Sequence, residues 1–171
     1  FDEMTDFNIP LREQLKEIAS IETPKILESS LSKDGTEKFA IKLNSGSIVE
    51  MVVIPEEKRN TLCISSQAGC ALQCTFCATG AQGFDSNLTS SEIIGQLWLA
   101  NNFSTNKRKI TNVVFMGMGE PLLNYENVVE SAQIMKDQNA YGLSRKRITI
   151  STSGIVPQIL NLPNDIDVSL A

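Results

Sequence analysis

The sequence predicts an α/β protein in which residues 61–171 form a parallel β-sheet with crossover helices. From residue 61 onward, short apolar strand-like segments alternate with longer segments of helical periodicity. This alternation is typical of consecutive βα units. Residues 22–60 differ, because their short β-branched segments are separated by turn-forming residues. We therefore divide the chain into an N-terminal extension, residues 1–60, and the first part of a β/α domain, residues 61–171.

The N-terminal extension is predicted to contain a short helix and a small antiparallel β-meander. In PLREQLKEIAS, residues 10–20, Leu11, Leu15 and Ile18 recur at spacings of four and three residues. This spacing, with a proline near the start, predicts an amphipathic helix. The segments KILESSLS, KFAIKL and SIVEMVVI are strand-like, and KDGTE and NSG separate them. Such spacing indicates neighbouring antiparallel strands joined by turns.

The β/α part is predicted to contain four strands, two helices and a third short helix. The helices are TSSEIIGQLWLANNF, which begins with an N-cap run, then YENVVESAQIMKDQ, and the shorter VPQILNL. A Gly- and Cys-rich loop, residues 67–83, follows the first strand, and GEPLLN forms a turn after the second. The predicted strands are TLCISS, ITNVVFMG, RITISTSG and DIDVSLA. A parallel strand needs neighbours on both sides, so the terminal position of the last strand predicts that the chain is part of a larger β/α protein.

The composition excludes several classes of protein. Apolar residues make up 42% of the 171 residues, which is enough for a buried core and unlike a disordered chain. No apolar run reaches the ~20 residues that a membrane-spanning helix needs. The acidic N-terminus, FDEMTDFNIP, has no signal-peptide pattern. We therefore expect a cytoplasmic protein without membrane association, in a reducing setting where disulfides are rare.

The net charge argues against non-specific binding of RNA or DNA through overall charge. The net charge is −5, so the protein as a whole does not attract phosphate backbones. Basic residues nevertheless cluster in two triplets, KRK at residues 107–109 and RKR at residues 145–147. Triplets of this kind are usually solvated faces or helix ends, and phosphate binding is their less frequent role.

All four cysteines lie within the segment CISSQAGCALQCTFCATG, and the chain has no histidine. Cys70, Cys74 and Cys77 form a tight C-x3-C-x2-C loop, whereas Cys63 lies on the preceding predicted strand. Structural zinc sites usually combine two short pairs across a longer spacer and take four ligands. Thiolates this closely spaced suit an iron–sulfur cluster, in which three ligands to four irons leave one iron open. The spacing favours a cluster and leaves zinc as the alternative.

With its flanking segments, the cysteine loop resembles the radical S-adenosylmethionine (SAM) superfamily. The loop has the form C-x3-C-x-aromatic-C, with Phe76 before the last cysteine, at the end of the first strand of a β/α protein. The segments CISSQAGCALQCTFCATGAQGF, NLTSSEIIGQ, MGMGEPLLN and ITISTSG are similar to those of the RlmN family of RNA adenosine C2-methyltransferases. The resemblance implies a partial (β/α)6 radical SAM barrel beginning near residue 61. It also implies two cofactors, a 4Fe-4S cluster and S-adenosyl-L-methionine.

The resemblance further implies the substrates and the course of the reaction. C2 of adenine lies between two ring nitrogens and is too electron-poor to attack the methyl group of SAM. In the RlmN family one SAM methylates a cysteine, and a second SAM yields a radical that takes hydrogen from that methyl group. The carbon radical adds to C2, and another cysteine resolves the crosslink between protein and RNA. The implied partners are 23S rRNA, tRNA and an electron donor such as flavodoxin or ferredoxin, and we expect a monomer.

Cysteines match four functional positions of the family. Cys70, Cys74 and Cys77 match the ligands of the cluster. Cys63 matches the resolving cysteine, although a lone cysteine on a strand is ordinarily a small buried packing residue. The resemblance therefore implies three metal ligands and one catalytic cysteine.

Four further residues match cofactor-binding positions. Phe76 is the aromatic residue of the loop, and Gly119 and Glu120 in GMGEP match the turn that binds the methionyl end of SAM. Glycine permits close approach of the backbone, and a carboxylate can pair with an ammonium group. Ser151 in ISTSG matches another SAM contact at the end of a strand. Outside this context, such residues are ordinary turn and cap residues.

Glu50, in SIVEMVVIP, matches the family's proton acceptor, which would take the C2 proton after radical addition. From the pattern alone, a glutamate on an alternating strand is ordinarily a solvent-facing residue. A carboxylate base works best when partial burial raises its pKa. The resemblance therefore adds Glu50 to Cys63 as a catalytic residue.

The sequence also departs from the family. The family has its methyl-carrying cysteine near the C-terminus, whereas no cysteine follows Cys77 here. The later barrel strands and most of the N-terminal helical domain have no counterpart. We therefore expect a fragment that holds the cluster and part of the SAM site but does not complete turnover. Asp85 and Ser86 stand where relatives carry a basic residue, which predicts a weaker contact with RNA phosphate.

Three alternatives stay open from the sequence. A Cfr-like enzyme, which methylates C8 of adenosine, shares much of the pattern. A non-catalytic zinc-binding module of an RNA-associated protein would use the same cysteines without sulfide. A truncated remnant would fold poorly, because exposed strand edges promote aggregation.

Overall fold

The structure is a computed structural model that describes all residues, 1–171. The N-terminal part contains one helix and the first four strands: α1 (Ile9–Ile18), β1 (Lys25–Leu31), β2 (Glu37–Lys42), β3 (Ile48–Pro55) and β4 (Asn60–Cys63). The predicted helix and meander are therefore present. None of the residues of α1 is buried, so its apolar stripe is not covered by the rest of this chain.

The remainder of the chain contains five strands and four α-helices. They are β5 (Gln67–Gly69), α2 (Ala78–Gln82), β6 (Phe84–Asn87), α3 (Ser90–Phe103), β7 (Asn112–Phe115), α4 (Tyr125–Lys136), β8 (Ile148–Ile150), α5 (Val156–Asp165) and β9 (Ser169–Leu170). Two short 3-10 helices, Pro121–Asn124 and Arg145–Arg147, precede α4 and β8. No helix is both long enough and apolar enough to cross a membrane.

Seven strands form one sheet in the order β1-β2-β3-β4-β7-β8-β9. Neighbouring strands from β1 to β4 are antiparallel, and those from β4 to β9 are parallel. The predicted α/β class with a parallel sheet is confirmed, and the meander continues directly into the parallel part because β3 pairs with β4. The division of the chain into two domains at residue 60 stays a prediction.

The two faces of the sheet differ in what covers them. One face packs against α3 and α4 in a core of 26 buried apolar residues, to which the sheet contributes side chains such as Met51, Leu62 and Phe115. The opposite face carries Glu50, Cys63 and Val114, whose side chains are exposed or half-buried. We call this second side the open face.

Helix α3 begins where the sequence predicts an N-cap. The hydroxyl of Thr89 accepts a hydrogen bond from the backbone N–H of Glu92, and the Glu92 carboxylate accepts one from the backbone N–H of Thr89. This reciprocal capping box satisfies two backbone donors that a helix start leaves free. The capping box fixes the start of α3 directly after β6. The cysteine loop therefore lies between β5 and the β6–α3 junction.

The structure corrects two predictions. Residues 67–83 are not wholly a loop, because β5 pairs with β6 in a two-stranded sheet that encloses the cysteines. Helix α5 is longer than the predicted VPQILNL and continues through Pro163 to Asp165. A proline within a helix loses one backbone hydrogen bond, so Pro163, in the last turn, made the sequence pattern predict an earlier end of the helix.

Candidate functional site

A cavity of about 300 Å³ lies beyond the C-terminal ends of β7 and β8. Parallel strands end at the same edge of a sheet, so the segments that follow β7 and β8 lie side by side there. The cysteine loop between β5 and α2 forms the third wall. The lining residues are Cys70, Leu72, Cys74, Phe76, Cys77, Phe115, Met116, Gly117, Gly119, Glu120, Pro121, Ser151, Thr152 and Ser153.

Seven of the nine site residues predicted from the sequence line this cavity. They are Cys70, Cys74, Phe76, Cys77, Gly119, Glu120 and Ser151. The structure thus brings the predicted cluster ligands together with the predicted cofactor residues, although these segments are separated by up to 81 positions in the sequence. The two predicted catalytic residues, Glu50 and Cys63, are not among the lining residues.

The three loop cysteines are free thiols. The buried Cys70 sulfur accepts a hydrogen bond from the backbone N–H of Leu72 at 3.4 Å. Cys77 stands at the N-terminus of α2, and the backbone N–H of Gly80 lowers the pKa of its thiol. Hydrogen bonds from backbone N–H groups favour the thiolate, which is the form that binds metals.

The arrangement of the three thiols distinguishes a single metal ion from an iron–sulfur cluster. No three Cys, Asp or Glu side chains converge as the ligands of a single metal ion do. In a four-iron cluster each thiolate binds a different iron, so the sulfurs surround a volume and need not converge on one point. Three free thiols on the wall of one cavity, with backbone N–H donors to two of the sulfurs, fit such a cluster.

Gly119 allows the turn after β7 to touch β5. Its φ is +93°, a conformation that residues with a side chain rarely adopt. A Cβ atom at this position would lie 2.4 Å from the Cβ of Gln67. The position therefore requires glycine for its backbone conformation and for the close contact.

The Glu120 carboxylate, on a residue that is 4% exposed, accepts four hydrogen bonds. Its Oε1 accepts from the backbone N–H of Leu122 at 3.0 Å and from the hydroxyl of Thr152 at 2.7 Å. Its Oε2 accepts from the backbone N–H and the hydroxyl of Ser153, at 2.8 and 2.9 Å. A carboxylate has about four acceptor positions, so in this structure Glu120 ties the turn to the segment after β8. Its pairing with a ligand ammonium group stays a prediction.

Ser151 and Phe76 occupy different parts of the cavity wall. Ser151 is half-buried, directly after β8. Phe76 lines the cavity while remaining 91% exposed, so its ring is free to contact a molecule that enters. Their roles in binding SAM stay predictions.

Cys63 and Glu50 both lie on the open face. Cys63 ends β4 opposite Val52 and Val114, and burial raises the pKa of its thiol. The Glu50 carboxylate is 48% exposed and contacts the Lys38 ammonium group at 2.6 Å. Glu50 and Cys63 thus share one face of the sheet on adjacent strands, and their catalytic roles stay predictions.

Several residues that shape the site were not singled out from the sequence. Thr152 and Ser153 follow Ser151 within the quoted ISTSG motif, so the signal was present in the motif itself. Gln67, in the segment SSQAGC, joins the cysteine loop to the turn, and no local pattern marks such a long-range contact.

Two features noted in the sequence have structural partners. The Asp85 carboxylate accepts a hydrogen bond from the hydroxyl of Ser47 at 2.6 Å, which anchors β6 to the turn before β3. The basic triplets precede β7 and β8, at the edge of the sheet opposite the cavity. Arg108 donates to two backbone carbonyls and Arg145 pairs with Asp167, so part of this basic charge holds strand ends in place.

We predict that Gly119→Ala destabilises the protein more than Gly154→Ala does. Both positions have positive φ, but a Cβ at Gly154 would meet no atom within 4 Å. Both variants bear the conformational cost of about 1–2 kcal/mol, and only Gly119→Ala adds the clash with Gln67, worth about 1–3 kcal/mol. Chemical denaturation of both variants measures the difference, and equal losses in the free energy of unfolding would contradict the close contact.

We also predict that Cys77 reacts faster than Cys63 with iodoacetamide in cluster-free protein near pH 7.5. The lowered pKa of Cys77 increases its thiolate fraction at this pH, whereas the raised pKa of Cys63 decreases it. Peptide mass spectrometry over a time course gives both rates. Since the difference reflects ionisation, it should shrink as the pH rises above 9, and a constant ratio of rates would contradict it.

Comparison with known proteins agrees with this arrangement. The sequence profile of the radical SAM superfamily matches residues 64–168. Relatives described as dual-specificity RNA methyltransferase RlmN, from Pseudomonas fluorescens and Marinobacter nauticus, are each 54% identical over 100% of this chain. The match covers 46% and 47% of those proteins, so the chain spans about half the length of the curated relatives it matches.

A solved structure supports the same assignment. The crystal structure of a radical SAM methyltransferase from Sphaerobacter thermophilus matches with a TM-score of 0.86 and 34% sequence identity. The match covers 99% of this chain and 50% of that one. The chain belongs to the radical SAM superfamily and is similar along its whole length to RlmN methyltransferases.

Proposed function

We propose that the protein containing this chain methylates C2 of adenosine in 23S rRNA and tRNA by radical SAM chemistry. The observation that carries the proposal is the cavity in which the three thiols face the Gly119–Glu120 turn and the segment after β8. The relatives that share the whole of this chain are described as dual-specificity RNA methyltransferases, which supports RNA as the substrate.

The residues of the cavity have complementary tasks in this proposal. Cys70, Cys74 and Cys77 would hold a 4Fe-4S cluster, which when bound supplies the electron that cleaves SAM. Gly119 lets the turn that lines the cavity pack directly against Gln67 of β5, because it has no side chain. Ser151 would offer a hydroxyl to the bound molecule, and the exposed ring of Phe76, which also lines the cavity, would contact it.

The open face would carry the chemistry on the RNA base. Glu50 would accept the proton from C2, and its carboxylate contacts the Lys38 ammonium group at 2.6 Å. Cys63, on the neighbouring strand, would resolve the crosslink between protein and RNA. The half-buried surroundings that raise its pKa keep it a protonated thiol at neutral pH, so it acts after activation and is not a free thiolate.

Three properties complete the proposal. We infer that a flavodoxin or ferredoxin supplies the electron, because the cluster chemistry needs a one-electron donor of low potential. We infer a cytoplasmic, reducing setting, in keeping with four free cysteines within fifteen residues. A monomer is sufficient, since all three walls of the cavity come from one chain.

The first test measures the cluster. After anaerobic reconstitution we expect about four irons and four sulfides per chain, and a reduced EPR signal that shifts when SAM is added. Cys74→Ala removes one ligand and should lose most of the iron. Cys63→Ala is the matched control: this cysteine does not line the cavity, so iron and sulfide should stay at the wild-type level. Bound zinc without sulfide would instead establish a zinc-binding module.

The second test concerns Glu50 in the complete enzyme. A general base contributes about 10²–10⁴ to a rate, so Glu50→Gln should lower the turnover of an RNA substrate by at least about 100-fold. Glu28 is the matched control, because the register of β1, β2 and β3 places it in line with Glu50, two strands farther away. Glu28→Gln should leave turnover within about twofold of wild type.

The same assay identifies the product. Nucleoside analysis by mass spectrometry against standards separates 2-methyladenosine from 8-methyladenosine. We expect the C2 product. Formation of 8-methyladenosine would overturn the assignment in favour of a Cfr-like reaction, and wild-type turnover by Glu50→Gln would remove Glu50 from the mechanism.

A further inference from the structure

Gln67 is a buried glutamine on β5, three residues before the first cysteine of the loop. It is 1% exposed, and its carboxamide forms hydrogen bonds in two directions. Its Oε1 accepts from the backbone N–H of Glu120 at 2.8 Å, and its Nε2 donates to Oδ1 of Asn87 at 2.7 Å. A buried carboxamide without partners is costly, so these two bonds fix the orientation of the side chain.

Backbone and side-chain atoms of Gln67 both contact the turn after β7. The backbone N–H of Gln67 donates to the carbonyl of Met118 at 3.2 Å. Beside this bond, the Cβ of Gln67 occupies the space that a side chain at Gly119 would need. The turn and the start of the cysteine loop therefore meet at Gln67 through backbone, Cβ and carboxamide together.

The hydrogen bonds continue beyond Gln67 to both other parts of the site. Asn87 is the last residue of β6, the strand that closes the cysteine loop. The Glu120 carboxylate in turn accepts hydrogen bonds from Thr152 and Ser153, which follow β8. One continuous chain of hydrogen bonds thus links the base of the cysteine loop, the turn after β7 and the segment after β8. These are the three walls of the cavity.

We propose that Gln67 is a positioning residue that sets the separation between the thiol loop and the Gly119–Glu120 turn, and through it the affinity for SAM. Gln67 does not itself line the cavity, so it acts through Glu120 and the loop. The proposal rests on the proposed function, because it requires a molecule that contacts the cluster and the turn at once. Glutamine suits this position because one carboxamide both accepts and donates a hydrogen bond.

The test compares SAM binding in two variants of the complete, reconstituted protein. Gln67→Met keeps the length and apolar stem of the side chain and removes both hydrogen bonds. Asn60→Leu is the matched control: Asn60 is also fully buried, and its carboxamide also donates one hydrogen bond and accepts another. It lies at the start of β4, at the opposite edge of the sheet from the cavity. The readout is the SAM concentration that gives half of the EPR shift.

We expect Gln67→Met to retain its iron and to need about 5–30 times more SAM, the factor that corresponds to losing 1–2 kcal/mol. Asn60→Leu should lower the midpoint of chemical denaturation by about as much as Gln67→Met does. Its SAM dependence should stay within about twofold of wild type. Unchanged SAM dependence in Gln67→Met, or an equal weakening in Asn60→Leu, would overturn the positioning role.

A second pair of variants decides the matter if Gln67→Met fails to retain its iron. Asn87 is exposed, so Asn87→Leu removes the acceptor of the Gln67 amide without opening the core, and it should weaken SAM binding at least threefold. Asn87→Asp keeps an acceptor at the same place and should restore binding. Equal SAM dependence in both Asn87 variants would refute the proposal. A wild-type cluster that gives no EPR response to SAM would refute the proposed function itself.

Discussion

A buried carboxylate has to be surrounded by hydrogen-bond donors, and this requirement at Glu120 organises the site. Glu120 is 4% exposed, and a buried carboxyl group left without hydrogen-bond partners would cost about 1–3 kcal/mol or more. The donors come from the turn that contains Glu120 and from the segment after β8. Those two segments meet only when β7 and β8 are paired in the correct register. The geometry of the cavity is therefore linked directly to the pairing of the sheet.

The two faces of the sheet differ in how far they are buried. Helices α3 and α4 cover one face, which supplies the apolar core. The other face carries the exposed Glu50 and the half-buried Cys63. Strand β4 joins the antiparallel and parallel parts of the sheet, because it pairs antiparallel with β3 of the meander and parallel with β7. As a result, a residue of the meander and a residue of the β/α part come to share one face of the sheet.

Sequence patterns predict much of this fold because most of its elements are specified locally. The N-cap run before α3, the apolar strand around Val113 and the helical stripe of α4 were all identified at nearly their observed positions. The three cysteines that line the cavity were singled out because they lie within eight residues of one another. Strands β5 (QAG) and β6 (FDSN) were missed because neither contains the run of β-branched and aromatic residues that marks a strand. Gln67 of β5 also accepts a hydrogen bond from the backbone N–H of Glu120, 53 residues away, and no local pattern reveals such a contact.

The walls of the cavity differ in the sequence separation of the contacts that hold them in place. The cysteine loop is closed locally, by the bond from the backbone N–H of Cys70 to the carbonyl of Gly83 and by the β5–β6 pair. The other walls depend on parallel strands separated by crossover helices, and such contacts of long sequence separation form slowly during folding. The three thiols therefore lie on a segment that is closed by contacts within residues 67–87, whereas the cavity beside them exists only where the parallel strands are paired.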